Sequence, residues 1–190
     1  MSALNQSQSY PYLQIWKISQ KHVRNAFRFR RGISYNFDFS PDSRHIAIAI
    51  VLRGTWQIRI YSMRGGSQKT LKVSEEEDID SMCFSTDGRH IAVGMRNGYV
   101  LLWNVRSGHL VVRLVGHQNG VYALAFSPDG AGLVSGGHDG TVRFWDISSI
   151  RIDRSGLQDV VNNVGEEVWQ WNRTVVEFII DHICADFFTR

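Results

Sequence analysis

A chain of 190 residues with 43% hydrophobic and 21% charged residues has the composition of a globular domain, alone or with an appendage, and not that of a disordered polymer. No apolar run reaches the roughly 18 residues that a membrane helix needs, and two cysteines, Cys83 and Cys184, make no disulfide framework, which suits a reducing compartment. The net charge of +3 is uneven: residues 1–32 hold six basic residues (Lys17, Lys21, Arg24, Arg28, Arg30, Arg31) and no acid, residues 33–150 balance eleven against eleven, and residues 151–190 hold four basic and seven acidic ones.

The first 32 residues read as a basic arm. Its one strand-like stretch is "LQIWKIS" (Leu13–Ser19), which resembles the later "VRFWDIS" (Val142–Ser148). It suits either an inner strand of a preceding unit or an apolar N-terminal arm. The arm has no secretory apolar region near Met1. Its lack of acids loosely resembles a mitochondrial transit segment. Tyr10, Tyr12, Trp16, Phe27 and Phe29 between the charges are compatible with that, and equally with nonspecific contact to nucleic-acid phosphates. The plainest reading is a solvated arm with one strand.

Residues 33–150 repeat. "FSPDSRHIAI", "FSTDGRHIAV" and "FSPDGAGLVS" align on Phe39, Phe84 and Phe126, spaced by 45 and 42 residues. "QIRIYS", "YVLLWN" and "TVRFWD" align on Tyr61, Trp103 and Trp145, spaced by 42 and 42. Two landmarks share one period, which divides the chain into units 33–73, 74–115 and 116–150. Within a unit an alternating run such as "VYALAF" meets Ser-Pro-Asp-Gly, whose Asp-Gly supplies the positive φ of a tight turn. A second turn at "DGT" follows, then "VRFWD", and a fourth strand such as "HLVVRLVG" leads to the next unit.

Four strands in this period, ending in Trp-Asp, resemble a blade of the WD40 β-propeller family. "GHQNGVYALAFSPDGAGLVSGGHDGTVRFWD" fits that family's pattern through its whole length. The resemblance implies an all-β fold: a partial propeller of about three four-stranded blades, here with a C-terminal tail expected to be α-helical. It also gives His117, Ser135, Asp139 and Trp145 a structural role, as the hydrogen-bonded tetrad that ties strands together inside a blade. A Ser-His-Asp hydrolase would use the same residue types, but no G-x-S-x-G elbow accompanies them. No catalytic residue is assigned. The seven histidines have no metal-ligand spacing and no P-loop is present, so neither a metal nor a cofactor is expected.

The earlier units depart from the pattern. Val93, Asn97 and Glu75 stand where the second would carry Ser, Asp and His. Tyr61 replaces Trp in the first, with Ile48 at the Ser position and Thr55 at the Asp position. These blades must rely on apolar packing. The first has three extra residues around "VLRGTWQ", expected as a longer turn, with Trp56 either a contact residue at its tip or a cover over its own blade.

The order of units is similar to the first blades of the fungal Tup-type general transcriptional corepressor, a relative of Groucho. An early blade ends in Tyr, the next lacks Gly-His, and the one after has both Gly-His and Trp-Asp. That resemblance implies a nuclear adaptor that binds DNA-bound regulators and chromatin components, with no direct sequence-specific contact to nucleic acid and none to membrane. The family's tetramerising helices have no counterpart in the 32 residues before the first clear repeat.

Residues 151–190 repeat nothing. Leu157, Val160, Val161, Val164, Val168, Trp171, Val175, Phe178, Ile179 and Ile183 recur at helical spacing. The expectation is two helices broken at Gly165, with Glu166 and Glu167 in the first turn of the second. They would bind a partner or cap an open blade, unless the tail is only the end of a truncated product.

The expected function is a noncatalytic protein-interaction scaffold, a corepressor fragment or a WD40 adaptor of another complex, of signalling or ubiquitin-ligase type. It would reside in the nucleus or otherwise the cytoplasm. The candidate partner-binding residues lie in the Gly-His loops and Asp-Gly turns: Glu75, Glu76, Glu77, Asp78, Arg96, Gln118, Asn119, Tyr122 and His138. Tyr122 leads, because a large aromatic on a rim suits a binding hot spot. Open blade edges would allow self-association.

Overall fold

A computed structural model describes residues 12–17, 22–28, 33–64, 67–73, 78–148 and 167–170, with backbone only for 12–35, 67–68 and 167–170. The described residues contain fourteen strands and no helix. The first two, β1 (Tyr12–Lys17) and β2 (His22–Arg28), pair as an antiparallel hairpin. The arm therefore carries two strands where one was expected. The remaining strands form three sheets, each with its strands side by side in chain order. The first holds β3 (Ile33–Phe39), β4 (His45–Leu52), β5 (Thr55–Ser62) and β6 (Ser67–Lys72). The second holds β7 (Ile79–Phe84), β8 (His90–Met95), β9 (Tyr99–Asn104) and β10 (Leu110–Val115). The third holds β11 (Val121–Phe126), β12 (Gly132–Gly137), β13 (Thr141–Asp146) and β14 (Glu167–Gln170).

The turn chemistry explains the first hairpin of each sheet. Ser40, Ser85 and Ser127 donate their hydroxyls to Asp42, Asp87 and Asp129 two residues on. Each aspartate also accepts a backbone N–H, so the side chains fix the bend before the strands pair. The next residue has a φ of 68° at Gly88 and 72° at Gly130, which glycine adopts at little cost. The first sheet has Ser43 there, at a φ of 55°.

Alternation then sorts side chains onto two faces. Ile91, Val93, Met95, Leu101 and Trp103 of the second sheet pack on Ala47, Ala49, Ile58, Ile60 and Leu71 of the first. Ala92, Val100, Leu102, Val112 and Leu114 pack on Val121, Leu133 and Trp145 of the third. Each fully buried Ile or Leu contributes roughly 1.5–3 kcal/mol. These two apolar interfaces therefore hold the stack together.

The strands β3, β7 and β11 lie next to one another, and polar side chains bridge them. Asn36 donates its amide to the carbonyl of Ile79 at 2.8 Å. The N–H of Phe84 donates to Asp38 Oδ2 at 2.7 Å. Ser81 donates to the carbonyl of Val121 at 2.7 Å. Backbone groups on a strand edge that no neighbouring strand pairs thus find side-chain partners. The result is an open arc of a propeller, three four-stranded sheets side by side. On β3, Phe37 and Phe39 remain 48% and 42% exposed.

Two expectations need correction. At Glu167–Gln170 the tail is not helical: those residues are β14, the fourth strand of the third sheet, paired with Thr141–Phe144. The far edge of β13 has N–H and C=O groups to satisfy, and this demand outweighs the helical spacing. The rest of the tail lies outside the described residues. The extra residues of the first unit do not make a longer turn either. They lengthen β4 and β5 to eight residues each, against six in β8 and β9. The hairpin closes through Arg53 and Gly54 alone, at φ of 55° and 83°, the two positive angles of a tight β-hairpin turn.

Candidate partner-binding face

The antiparallel order fixes which turns share an end of the stack. The β4–β5, β8–β9 and β12–β13 turns lie at one end, with the β6–β7 and β10–β11 connections. The Ser-x-Asp turns lie at the other. The described candidate partner-binding residues, Asp78, Arg96, Gln118, Asn119, Tyr122 and His138, fall at the first end. The tetrad supports its third-sheet portion from below.

That tetrad is a continuous chain in the structure. The Trp145 indole N–H donates to Ser135 Oγ at 2.8 Å. The ionised Asp139 can only accept, so His117 Nδ1 carries the proton and donates to it at 3.0 Å, and Nε2 of the neutral ring accepts the Ser135 hydroxyl proton at 2.8 Å. Asp139 further accepts the Gln118 and Thr141 N–H groups and the Thr141 hydroxyl. Partial burial alone would raise the Asp139 pKa. The N–H of Gln118, the Thr141 hydroxyl and His117 outweigh it and hold the carboxyl well below its usual range. Burial lowers His117, against the pull of Asp139, so the imidazole is the neutral donor that the chain requires.

Ser135 is 0% exposed and its oxygen already accepts the indole N–H. It therefore cannot reach a substrate carbonyl as these strands stand. The second sheet shows what the tetrad avoids. Trp103 is equally buried, Val93 sits at the Ser position, and the Trp103 indole N–H has no partner. In the first sheet Ile48 and half-buried Tyr61 occupy these places.

Above the tetrad, Tyr122 is 55% exposed. The His138 ring meets it edge-on, with centroids 5.7 Å apart and planes at 86°. The N–H of His138 donates to the carbonyl of Gly120 at 2.8 Å, which ties the β12–β13 turn to the β10–β11 connection. Gln118 and Asn119 are exposed in that connection. Gln118 is anchored by its backbone to Asp139. The Asn119 Oδ1 accepts the N–H of Gly120 and shapes the turn.

Arg96 joins the second sheet to this group. Its guanidinium makes ion pairs with Asp78 and, at 3.1 Å, with Asp80. Asp78 also accepts the Trp56 indole N–H at 3.1 Å. Trp56 packs half-buried on the core between the first two sheets. Its even-handed expectation resolves toward a covering side chain that also orients a face residue. Sequence reasoning missed Asp80, which lies beneath Arg96, and Gly120, whose lack of a side chain lets the β10–β11 connection sit against it. Glu75, Glu76 and Glu77 lie outside the described residues. No group of acidic, histidine or cysteine side chains suited to a metal ion occurs among the described residues. No described helix is long and apolar enough to cross a membrane.

Comparison with known proteins agrees with this architecture. Residues 108–146 match the family model "WD domain, G-beta repeat". Residues 37–121 match that of the "Anaphase-promoting complex subunit 4 WD40 domain". Among solved structures, the RRP9 WD40 repeats superpose with a TM-score of 0.58 at 23% identity, over 65% of this chain and 38% of that one. The structure of U3-55K superposes with a TM-score of 0.61 at 20% identity, over 77% of this chain and 42% of that one. The chain thus spans about two fifths of the length of these two structures. No curated protein matches the sequence. Over residues 37–146, then, the chain is built of WD40 repeats, set as an open arc of a β-propeller.

Proposed function

We propose that this chain is a noncatalytic protein-interaction scaffold whose docking face is the end of the arc bearing Arg96, Tyr122 and His138. The observation that carries the reading is Tyr122, a large aromatic left 55% exposed while its own strand is locked in place below it. Aromatic side chains held rigid at a surface make strong binding anchors at little entropic cost. Gln118, Asn119 and Asp78 form the polar surround, and the acidic residues Glu75, Glu76 and Glu77 adjoin it in sequence.

The finer reading is a corepressor-like adaptor in the nucleus, with DNA-bound regulators and chromatin components as partners. It is supported by the order of the repeats, which resembles the Tup-type corepressor. An adaptor of another multi-protein complex is supported by the match to a family model named for a complex subunit.

Affinity capture with partners identified by mass spectrometry tests both. Tyr122→Ala with His138→Ala is expected to remove partners that the wild-type chain retains, and Arg89→Ala at the opposite end to leave them. Retention of every partner by the double variant overturns the assignment of this face. A hydrolytic turnover abolished by Ser135→Ala in a chain that still folds would replace the scaffold reading with an enzyme.

A further inference from the structure

We infer that the β4–β5 hairpin is a second docking element at the Tyr122 end of the arc, and that its tip takes an acidic segment of a partner protein with an apolar side chain among its carboxylates; the inference rests on the scaffold reading above. The hairpin stands apart from its counterparts. β3 begins opposite Ile50 and β6 ends opposite Gln57, so residues 51–56 run past both as a two-stranded ribbon. Three extra residues shared by two strands lift its tip by about 5 Å. The β8–β9 turn is pressed against the His117 loop, where a Cβ on Gly98 would come within 2.3 Å of a carbonyl oxygen. The β12–β13 turn is tied to Gly120 through the His138 N–H. A Cβ on Gly54, at the tip of the ribbon, would meet nothing within 4 Å. The root of the ribbon is fixed. The Trp56 carbonyl accepts the Val73 N–H at 2.9 Å, and the Trp56 indole donates to Asp78, the ion-pair partner of Arg96.

The side chains at the tip set the chemistry of what it can hold. Arg53 keeps a φ of 55°, a left-handed conformation that asparagine or glycine adopts more readily in such a turn. Strained non-glycine residues collect at binding sites, and this one presents a guanidinium. Leu52 beside it is 37% exposed. Leu52, Arg53, Thr55, Gln57 and Lys72 border a hollow of about 330 Å³. The border carries two cations and no carboxylate, so it favours an anion. Leu52 adds apolar area that a phosphate backbone would leave unused, which favours a peptide over nucleic acid. An extended acidic segment satisfies both: its apolar side chain lies on Leu52 and its carboxylates meet Arg53 and Lys72.

The test is a titration of the full chain, followed by amide NMR, with acetyl-Glu-Leu-Glu-Leu-Glu-amide. Its counterparts are one peptide with Gln for every Glu, one with Ala for every Leu, and a short oligothymidylate. The acidic leucine peptide is expected to shift the amides of Leu52, Arg53, Gly54 and Lys72 saturably. Loss of either its Glu or its Leu side chains should weaken it about fivefold, the scale of two exposed ion pairs or one partly buried leucine. Leu52→Ser and Lys72→Gln should each weaken it to a similar degree. Arg53→Gly should weaken it while Tm stays the same or rises, because glycine fits the turn. Absence of saturable shifts, equal binding of the Gln or Ala peptide, indifference to Arg53→Gly, or tighter binding of oligothymidylate at these residues overturns the inference. If protein partners are lost with Tyr122→Ala and His138→Ala but kept with Leu52→Ser and Arg53→Gly, the scaffold reading stands and the second docking element falls. The opposite pattern keeps the hairpin tip and removes the Tyr122 face.

Discussion

Replacing Ser135 with alanine removes one oxygen atom and two hydrogen bonds. The site is 0% exposed, so water cannot substitute. The Trp145 indole N–H and the His117 Nε2 lone pair, each held at 2.8 Å, would both be left buried without a partner. Each orphaned group costs about 1–3 kcal/mol. A total loss of roughly 2–5 kcal/mol follows. Since 1 kcal/mol moves Tm by roughly 2–4 °C in a chain of this size, the melt should fall by about 10 °C. The second sheet is the internal control, because its Trp103 N–H already lacks a partner beneath Val93. Val93→Thr keeps the shape but buries a hydroxyl, whose desolvation costs about 1–3 kcal/mol unless it pairs with that indole, so its effect should not exceed that range. Urea unfolding at pH 7.5, followed by tryptophan fluorescence, measures both. A loss below about 0.5 kcal/mol for Ser135→Ala, the scale of an ordinary surface change, would refute the claim that the tetrad locks the third sheet.

Acid should loosen the arc in two stages. Burial holds His117 and His90 below the usual 6.5, so the unfolded chain takes up their protons first. The stability they contribute is present above that value and is lost as pH falls through it. Asp139 is held below the usual 3.8, so a further loss follows as pH falls beneath that value. Asp38, raised by burial, opposes this second stage in part. Thermal melts from pH 7.5 to 3 check the order, and a Tm that rises between pH 7.5 and 5 contradicts it. Gly98 and Gly54 separate backbone strain from crowding. Both have positive φ, 89° and 83°, but a Cβ on Gly98 would strike the His117 carbonyl whereas one on Gly54 meets nothing within 4 Å. Gly54→Ala should cost about 1 kcal/mol and Gly98→Ala clearly more, which the same urea titration measures. Equal losses would deny the close contact between the β8–β9 turn and the His117 loop.

The repeat period was legible because each unit repeats its Phe, its turn aspartate and its closing aromatic. The tetrad was legible through the resemblance of the third unit to the WD40 pattern: only Ser135 interrupts a strand, while His117 lies in the β10–β11 connection and Asp139 in the β12–β13 turn. The tail misled at Glu167–Gln170 because periodicity reports only which residues are apolar, while the open edge of β13 decides what that segment pairs with. "HVRNAFR" has no clear alternation, so β2 was invisible until its pairing with β1 was seen. The Asp80–Arg96–Gly120 cluster could not be read from spacing at all. It exists because the starts of β7 and β11, some 42 residues apart, lie beside each other in space.

The central claim is that partners dock at the end of the arc bearing Tyr122, and backbone hydrogen exchange with and without a recovered partner tests it most directly. Protection is expected at residues 96–98, 116–122 and 138–140. Protection confined to residues 85–89, 104–109 and 127–131, at the opposite end, would contradict it.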